Sequence, residues 1–452
     1  MSWKIMSDID PLRAVLLHKP GKENEWVSLA LTSPWGAIAF PRGARAACEH
    51  QEYVKLIKEN SDTKIYFIEE LLNDILNKVD KKERSQFLLE VFGEERYSKI
   101  RKFLADEEIT ADHILGRVHP FKYVMDSELI IKPIGSLIWA RDFSVVTQGG
   151  LVISHYNGLF ARRKNETGVV KAIYKWHPEF QKNLTILEDF SLKEKLFLQG
   201  GDVIPIDEEA IAVGTGGRTT RNAVEHLAKL LYENSNVKTV YSVNMPSMLD
   251  APKRKTPNIL NALWIHLDSF FNFVDNNKVV TVLPTFRTHL KQILYNIMKI
   301  TRKDAITEMK KEGTKPSILR RQVSPVPSLK DIKNIGKCTV LRRGKKAETK
   351  KDFLKALVED DKLNKDEIIT VGGSPEDYPN TYEYIDAVLR EFRFQAANVL
   401  PLRKGVVIAY DENKATLNAL KNHGIKVLTF TAPQLSFGMG GPHCLAMTLF
   451  RK

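Results

Sequence analysis

A chain of 452 residues that is 43% hydrophobic and 27% charged has the balance of a soluble globular protein with a sizeable core, in one large domain or in two or three smaller ones. No apolar run approaches the ~18 residues that would cross a bilayer, and residues 1–10 carry acids where a signal peptide has its apolar core, so a reducing cytoplasm and no membrane partner are expected. The formal charge of +13 points to nucleic acid until it is located: residues 287–351 hold 19 Lys and Arg against 5 Asp and Glu, with Tyr295 alone rather than interleaved aromatics for base stacking, so a solvated helical insertion is expected there and no nucleic-acid partner.

Taken in order, residues 12–18 read as a strand ending in the turn signal His18-Lys-Pro-Gly21, followed by a helix over 45–59 and a strand over 64–69. Leu71, Leu72, Ile75 and Leu76, then Phe87, Leu88, Val91 and Phe92, fall on i, i+3/i+4 faces and predict amphipathic helix over most of 70–118. Strands are predicted at 138–146 and 151–155, a helix at 169–176, strands at 202–206 and 210–214, and a helix at 220–232 with Thr220 as its cap. A third round gives strands at 237–242, 264–274 and 279–283, the last two joined by an Asn276-Asn277 hairpin turn. The basic segment predicts helices at 289–299, 305–311 and 350–359 around a breaker run at 315–327. Strands at 368–372, 394–400 and 406–410, a helix at 413–422 and strands at 427–430 and 445–450 complete the chain. Such alternation, returning roughly every 50 to 70 residues, suggests ββαβ-like units repeated around a centre.

Polar clusters sit at the strand ends. Arg141-Asp142 follows an apolar run, Gln199-Gly200-Gly201-Asp202 precedes a strand, and Gly214-Thr-Gly-Gly-Arg218-Thr219-Thr220 opens a helix whose free N–H groups could hold an anion. His266-Leu267-Asp268 lies in a strand-like run, where i, i+2 spacing puts both side chains on one face. Near the C-terminus Gly440-Gly441-Pro442-His443-Cys444 bends the backbone, with positive φ expected at its glycines, and presents a thiol there. Singly these are an ion pair, turns and a buried cysteine. The three cysteines, Cys48, Cys338 and Cys444, have no C-x-x-C spacing, which argues against a disulfide framework or a zinc site.

Together, Arg141-Asp142, Gly200-Gly-Asp202, Gly214-x-x-x-Arg218-Thr219, His266-Leu-Asp268 and Gly441-Pro-x-Cys444 resemble the arginine deiminases of the guanidino-group-modifying superfamily, in order and in spacing. The opening Leu16-Leu-His-Lys-Pro-Gly-Lys-Glu23 resembles that family's first strand. The resemblance implies an α/β fold, a five-bladed pseudo-symmetric propeller of ββαβ units in a single catalytic domain over 1–452. It also implies a helical insertion at 70–118 after the first blade, beside the basic insertion at 287–365. It implies hydrolysis of L-arginine to L-citrulline and ammonia through a covalent thiouronium on Cys444, with a small-molecule substrate, no cofactor and no metal; homo-oligomerisation stays open. Cys444 would attack as a thiolate, its pKa lowered by the cationic substrate and site. Asp142 and Asp268 would clamp the guanidinium, and His266 would serve as acid and then base. Gln199, Arg163, Arg218, Arg141 and Asp202 would bind substrate, with Arg163 (in Arg163-x-x-Glu166) and Arg218 at its carboxylate end.

Four positions depart from the family pattern. Gln199 replaces a glutamate, Met439 and Ser136 replace an arginine and an asparagine, and His443 stands where an arginine is often found. The departures leave two alternatives: a hydrolase or amidinotransferase acting on another guanidino or ureido compound, and a catalytically impaired homologue that binds an anion or a partner.

Overall fold

The computed structural model describes residues 2–30, 43–125, 128–156, 163–245, 266–315 and 334–452. The architecture is mixed α/β and is built from five units of one design: an antiparallel strand pair, with a third strand added in parallel. Ser144–Thr147, Gly150–Ile153 and Ile186–Asp189 form one such unit. Val203–Asp207, Ala210–Thr215 and Thr239–Asn244 form the next. Phe271–Asp275, Lys278–Thr281 and Ile368–Thr370 form a third, and Leu400–Arg403, Val406–Tyr410 and Lys426–Phe430 a fourth. The fifth joins the chain's two ends, Met447–Arg451 pairing antiparallel with Leu12–Leu17 and Lys64–Phe67 lying parallel to it. A parallel third strand requires a crossover. Helices supply it: Gly43–Asn60, Lys164–Trp176, Arg221–Asn234 and Lys414–Asn422 each connect a second strand to its parallel neighbour. No sheet among the described residues closes on itself into a barrel. No helix among them is long and apolar enough to cross a membrane.

The sequence misplaces the starts of several strands, for a common reason. The expected strand at 138–146 begins only at Ser144, after 3-10 turns at Gly135–Ile138 and Ala140–Asp142. The expected strand at 264–274 begins at Phe271, after a turn at Leu267–Ser269; residues 264–265 lie outside the described residues. A third turn, Gly200–Asp202, precedes Val203–Asp207. At 138–146 and 264–274 an apolar run continues into turn backbone, and part of it bonds across units: the Arg141 amide donates to the Cys444 carbonyl (3.1 Å) and the Leu267 amide to Asp202 Oδ1 (3.0 Å). At 394–400 the expected strand gives way to turns, and Leu400–Arg403 follows an unforeseen helix, Thr381–Arg393. That helix buries Tyr384, Ile385, Val388 and Phe392, and Asn380 caps it by accepting from the Tyr382 and Glu383 amides.

Residues 68–115 form four helices, Ile68–Lys78, Lys81–Phe92, Glu94–Leu104 and Ala111–Leu115. The first buries Ile68, Leu71, Leu72, Ile75 and Leu76 at helical spacing. In the basic segment the two predicted helices are one, Lys291–Lys311, and most of the breaker run, residues 316–327, lies outside the described residues. The ends of the segment meet, since Arg287 donates to the Lys351 carbonyl (2.8 Å) and pairs with Asp352. Its interior does not stand apart from the core. Cys338–Arg342 pairs antiparallel with Thr239–Asn244, Glu348–Lys350 adds a further strand, and Ile335, Cys338 and Val340 are buried against Tyr241, Phe353 and Leu357.

Excising residues 287–351 should therefore abolish cooperative unfolding, because it bares the edge of Thr239–Asn244 and a face of the core. Val340→Ala alone should lower stability by about 2 kcal/mol in urea denaturation. A deletion protein with the parent's thermal transition would show that the two added strands are dispensable.

Candidate active site

The turn that precedes the first strand of each unit carries a polar or nucleophilic residue. Asp142, Asp202, Asp268, Asn398 and Cys444 stand one to three residues ahead of Ser144, Val203, Phe271, Leu400 and Met447. Hydrogen bonds join turn to turn. The Leu267 amide donates to Asp202 Oδ1 (3.0 Å), Asn272 Nδ2 to the carbonyls of Asp268 (2.6 Å) and Ala397 (2.7 Å), and the Cys444 amide to Asn398 Oδ1 (3.0 Å). Two buried tyrosines hold the turn that carries Cys444, Tyr53 donating to the Pro442 carbonyl (2.8 Å) and Tyr410 to that of Gly440 (2.9 Å). The glycines here serve close approach: a Cβ on Gly201 would lie 2.7 Å from His266 Nδ1, and one on Gly440 2.2 Å from the Trp139 ring. The left-handed residue of the bend is Met439 (φ 65°), so the positive φ expected at the glycines falls on a side-chain-bearing residue.

Two buried carboxylates face the thiol's surroundings, each held by the same alternation of charge. Asp142 Oδ2 accepts from Arg163 Nη1 (2.6 Å), and the Arg163 Nε donates to both oxygens of Glu166 (3.0 and 2.9 Å). Asp268 Oδ2 accepts from His443 Nδ1 (2.9 Å), whose Nε2 lies 2.8 Å from Asp8 Oδ2. In both chains a carboxylate, a cation and a second carboxylate follow one another, and in both one oxygen, Asp142 Oδ1 or Asp268 Oδ1, is buried without a hydrogen-bond partner. Burial would raise the Asp142 pKa, but His266, Arg163 and Arg218 outweigh it and hold the carboxyl below its usual range. Burial opposes charge on His443 as well, yet the Asp8 and Asp268 carboxylates hold its pKa above the ordinary value.

Cys444 is buried, with Sγ 3.9 Å from Asp268 Oδ2. Burial, then the charges of Asp268 and Asp142, push its thiol well up. The lowered pKa expected for this residue is therefore not a property of the site by itself, because carboxylates beside a desolvated sulfur disfavour its anion. His266 is driven down to about 4 by burial, so it is neutral at pH 7. Its Nε2 lies 2.8 Å from Gln199 Oε1, which also accepts from Arg218 Nη1 (3.3 Å). Arg218 can only donate, which fixes this Gln199 atom as the oxygen and gives His266 the Nε2–H tautomer. His266 Nδ1, 3.4 Å from Asp142 Oδ1, is left as the basic nitrogen.

The turn at Leu267–Ser269 replaces the strand geometry expected for His266 and Asp268. The two still reach one site by different partners, Gln199 and Asp142 for the first, His443 and Cys444 for the second. Asp202 accepts from Thr219 Oγ1 (2.6 Å), and burial pushes it up to about 8, so its contacts are with the frame of the site. Arg141 is likewise taken up beneath the site, by Thr448 Oγ1 (2.9 Å), the Val203 carbonyl (2.7 Å) and Asp8 (3.6 Å). Arg163 also packs over the Tyr156 ring at 4.8 Å. Sequence reasoning missed Asp8 and Asn398, which lie in stretches without any motif, and it noted His443 only as a departure.

A model of the arginine deiminase family matches residues 39–451. An arginine deiminase from Metamycoplasma hominis is 26% identical over a 461-residue alignment covering 99% of this chain and 96% of that protein. One from Bacillus cereus is 25% identical, over 99% of this chain and 98% of that protein. Among solved structures, unliganded AgrE superposes with a TM-score of 0.50 at 12% identity, over 97% of this chain and 40% of that one, a likeness of fold alone.

The burial of two of the three thiols predicts their reactivity. Alkylation of the native protein at pH 7, read by mass spectrometry, should label exposed Cys48 quickly and spare Cys338, which burial pushes up to about 12, together with Cys444. Labelling of Cys444 should rise with pH. Equal rates at all three thiols would contradict the burial described.

Proposed function

The chain belongs to the arginine deiminase family, and on that premise we propose that it hydrolyses the guanidino group of L-arginine to L-citrulline and ammonia. One observation carries this reading: a thiol beside two buried carboxylates that each keep one acceptor oxygen unpartnered, a donor-seeking pair suited to the N–H groups of a guanidinium. The cation would offset part of the Asp268 and Asp142 charge that, with burial, holds the Cys444 thiol protonated, so that the sulfur is activated when substrate is present. Cys444 attacks the guanidinium carbon, and the thiol proton passes to the departing nitrogen, which leaves as ammonia with a thiouronium on sulfur. His266 is the neutral base available to carry that proton, then to take one from the water that adds to the thiouronium carbon. Collapse returns the thiol and releases the ureido product. Arg163 and Arg218, cations near Asp142 and Gln199, are assigned to the substrate's carboxylate end; Arg163 would share its donors with Asp142 and Glu166. Arg141 and Asp202 brace the turns.

The five alike units support a pseudo-fivefold arrangement, a propeller whose blades each contribute one turn to a central site. The helices over 68–115 and the segment 287–365 are then additions to a single catalytic domain. Free thiols and a cysteine nucleophile suit a reducing cytoplasm.

A second reading is favoured by one atom. Gln199 Nε2 is a buried donor without a partner, where a carboxylate would offer only acceptors, and it suits a substrate that presents an oxygen, such as a ureido compound.

Incubation with arginine, agmatine and citrulline, with ammonia and ureido product measured, separates the readings: ammonia and citrulline from arginine support the first, and turnover of ureido compounds alone supports the second. Cys444→Ser should bring any turnover to background while Cys48→Ala leaves it intact; an active Cys444→Ser enzyme refutes the covalent route. Gln199→Glu should tighten arginine binding by about 1.5–3 kcal/mol, the worth of a charged hydrogen bond, in calorimetry and steady-state kinetics. Unchanged or weaker binding would place residue 199 outside the clamp.

A further inference from the structure

The side chain of His443 bridges two buried carboxylates, Nδ1 to Asp268 Oδ2 at 2.9 Å and Nε2 to Asp8 Oδ2 at 2.8 Å, and is itself fully buried. An ionised carboxylate only accepts hydrogen bonds, and a neutral imidazole has a single N–H. Both contacts can be hydrogen bonds to carboxylates only if both ring nitrogens carry protons. We propose that His443 is a positioning residue that works as a buried imidazolium, anchored by Asp8, whose Nδ1–H pins Oδ2 of Asp268 and so presents Oδ1 to the substrate. The proposal rests on the reading of Asp268 as part of the guanidinium clamp.

The surrounding charges fit. Asp8 comes from the segment ahead of the first strand, where its amide donates to the Pro205 carbonyl (3.0 Å). Arg141 Nη2, from the turn at Ala140–Asp142, lies 3.6 Å from Asp8 Oδ2, and Arg451 Nε, from the closing strand, 3.6 Å from Asp8 Oδ1. The groups that face His443 are thus Asp8 and Asp268, which favour its charge, and Arg141, which opposes it, with Cys444 next in sequence. The His443 amide donates to the Asn398 carbonyl (3.2 Å), so backbone and ring are both fixed. Asp142, by contrast, is pinned by an arginine that keeps its proton at any working pH. Only the Asp268 side of the clamp can be released by loss of a proton.

The sign follows from the charged form being the one that holds Asp268: activity should be present below the raised His443 pKa and fall as pH climbs through it. Nitrogen-15 NMR of histidine-labelled protein, with His443→Gln for assignment, should show both ring nitrogens of His443 protonated at pH 7. A neutral tautomer there overturns the proposal, and because this signal is read without turnover it does not depend on the substrate. In kinetics with arginine, Asp8→Asn should move the alkaline limb of kcat/KM to lower pH by about one unit or more, as loss of a charged neighbour does. His443→Gln should lose at least tenfold in kcat/KM at pH 7. His443→Arg should recover most of that loss and lack the alkaline limb, a rescue that packing alone would not give. An Asp8→Asn profile superimposable on the parent's, or a His443→Gln enzyme with parental kcat/KM, overturns the proposal.

Discussion

Two carboxylates, Asp142 and Asp268, are buried near one thiol, and the rest of the site is arranged around the cost of burying them. A carboxylate taken out of water loses several kcal/mol of solvation unless cations and donors replace it. Asp142 and Asp268 are both buried, and each is compensated on one oxygen only, by Arg163 or by His443. Those cations are themselves buried and need counter-charges, which Glu166 and Asp8 supply. The compensation is incomplete, since Asp142 Oδ1 and Asp268 Oδ1 are left without a hydrogen-bond partner.

The frame that holds this charge pattern is a set of turns, one ahead of each unit's leading strand. Strand backbone could not place five polar side chains together, because its amides and carbonyls are consumed by the sheet. At the turns those groups are free to bond across units, as the amides of Arg141, Leu267 and Cys444 do. Displacing one turn therefore disturbs its neighbours. The close approaches at Gly201 and Gly440 leave no room for a side chain to relax into.

The same electrostatics bear on the thiol. Burial and the two aspartates favour the protonated form of Cys444. On the proposed reading a cationic ligand offsets part of that negative field and so favours the thiolate. Binding and activation would then have one cause, and the neutral Gln199 leaves the proposed clamp one negative charge short of the family pattern.

The sequence by itself determined what depends on local order. Helix Gly43–Asn60 and the helices over 68–115 were legible because their apolar spacing repeats every three to four residues, and the Asn276-Asn277 hairpin because its turn residues announce it. Asp142, His266, Asp268 and Cys444, which the turns bring near one another, each lie in a short motif, and the family was legible from the order of those motifs along the chain. What only the tertiary structure decided are pairings between residues far apart in sequence. Asp8 meets His443, and Asn398 holds the Cys444 amide, yet neither lies in a stretch with a motif of its own. The strand starts near 138 and 264 were misread because apolar runs look alike whether their backbone joins a sheet or turns to bond another unit. The thiol pKa was misjudged for a related reason: its sign is set by which charges come near the sulfur, and distance through space is not written in local spacing. The basic segment reads from composition as a solvated insertion because composition reports charge, whereas the burial of Val340 and Ile335 depends on an edge that Thr239–Asn244 offers only after the units have packed.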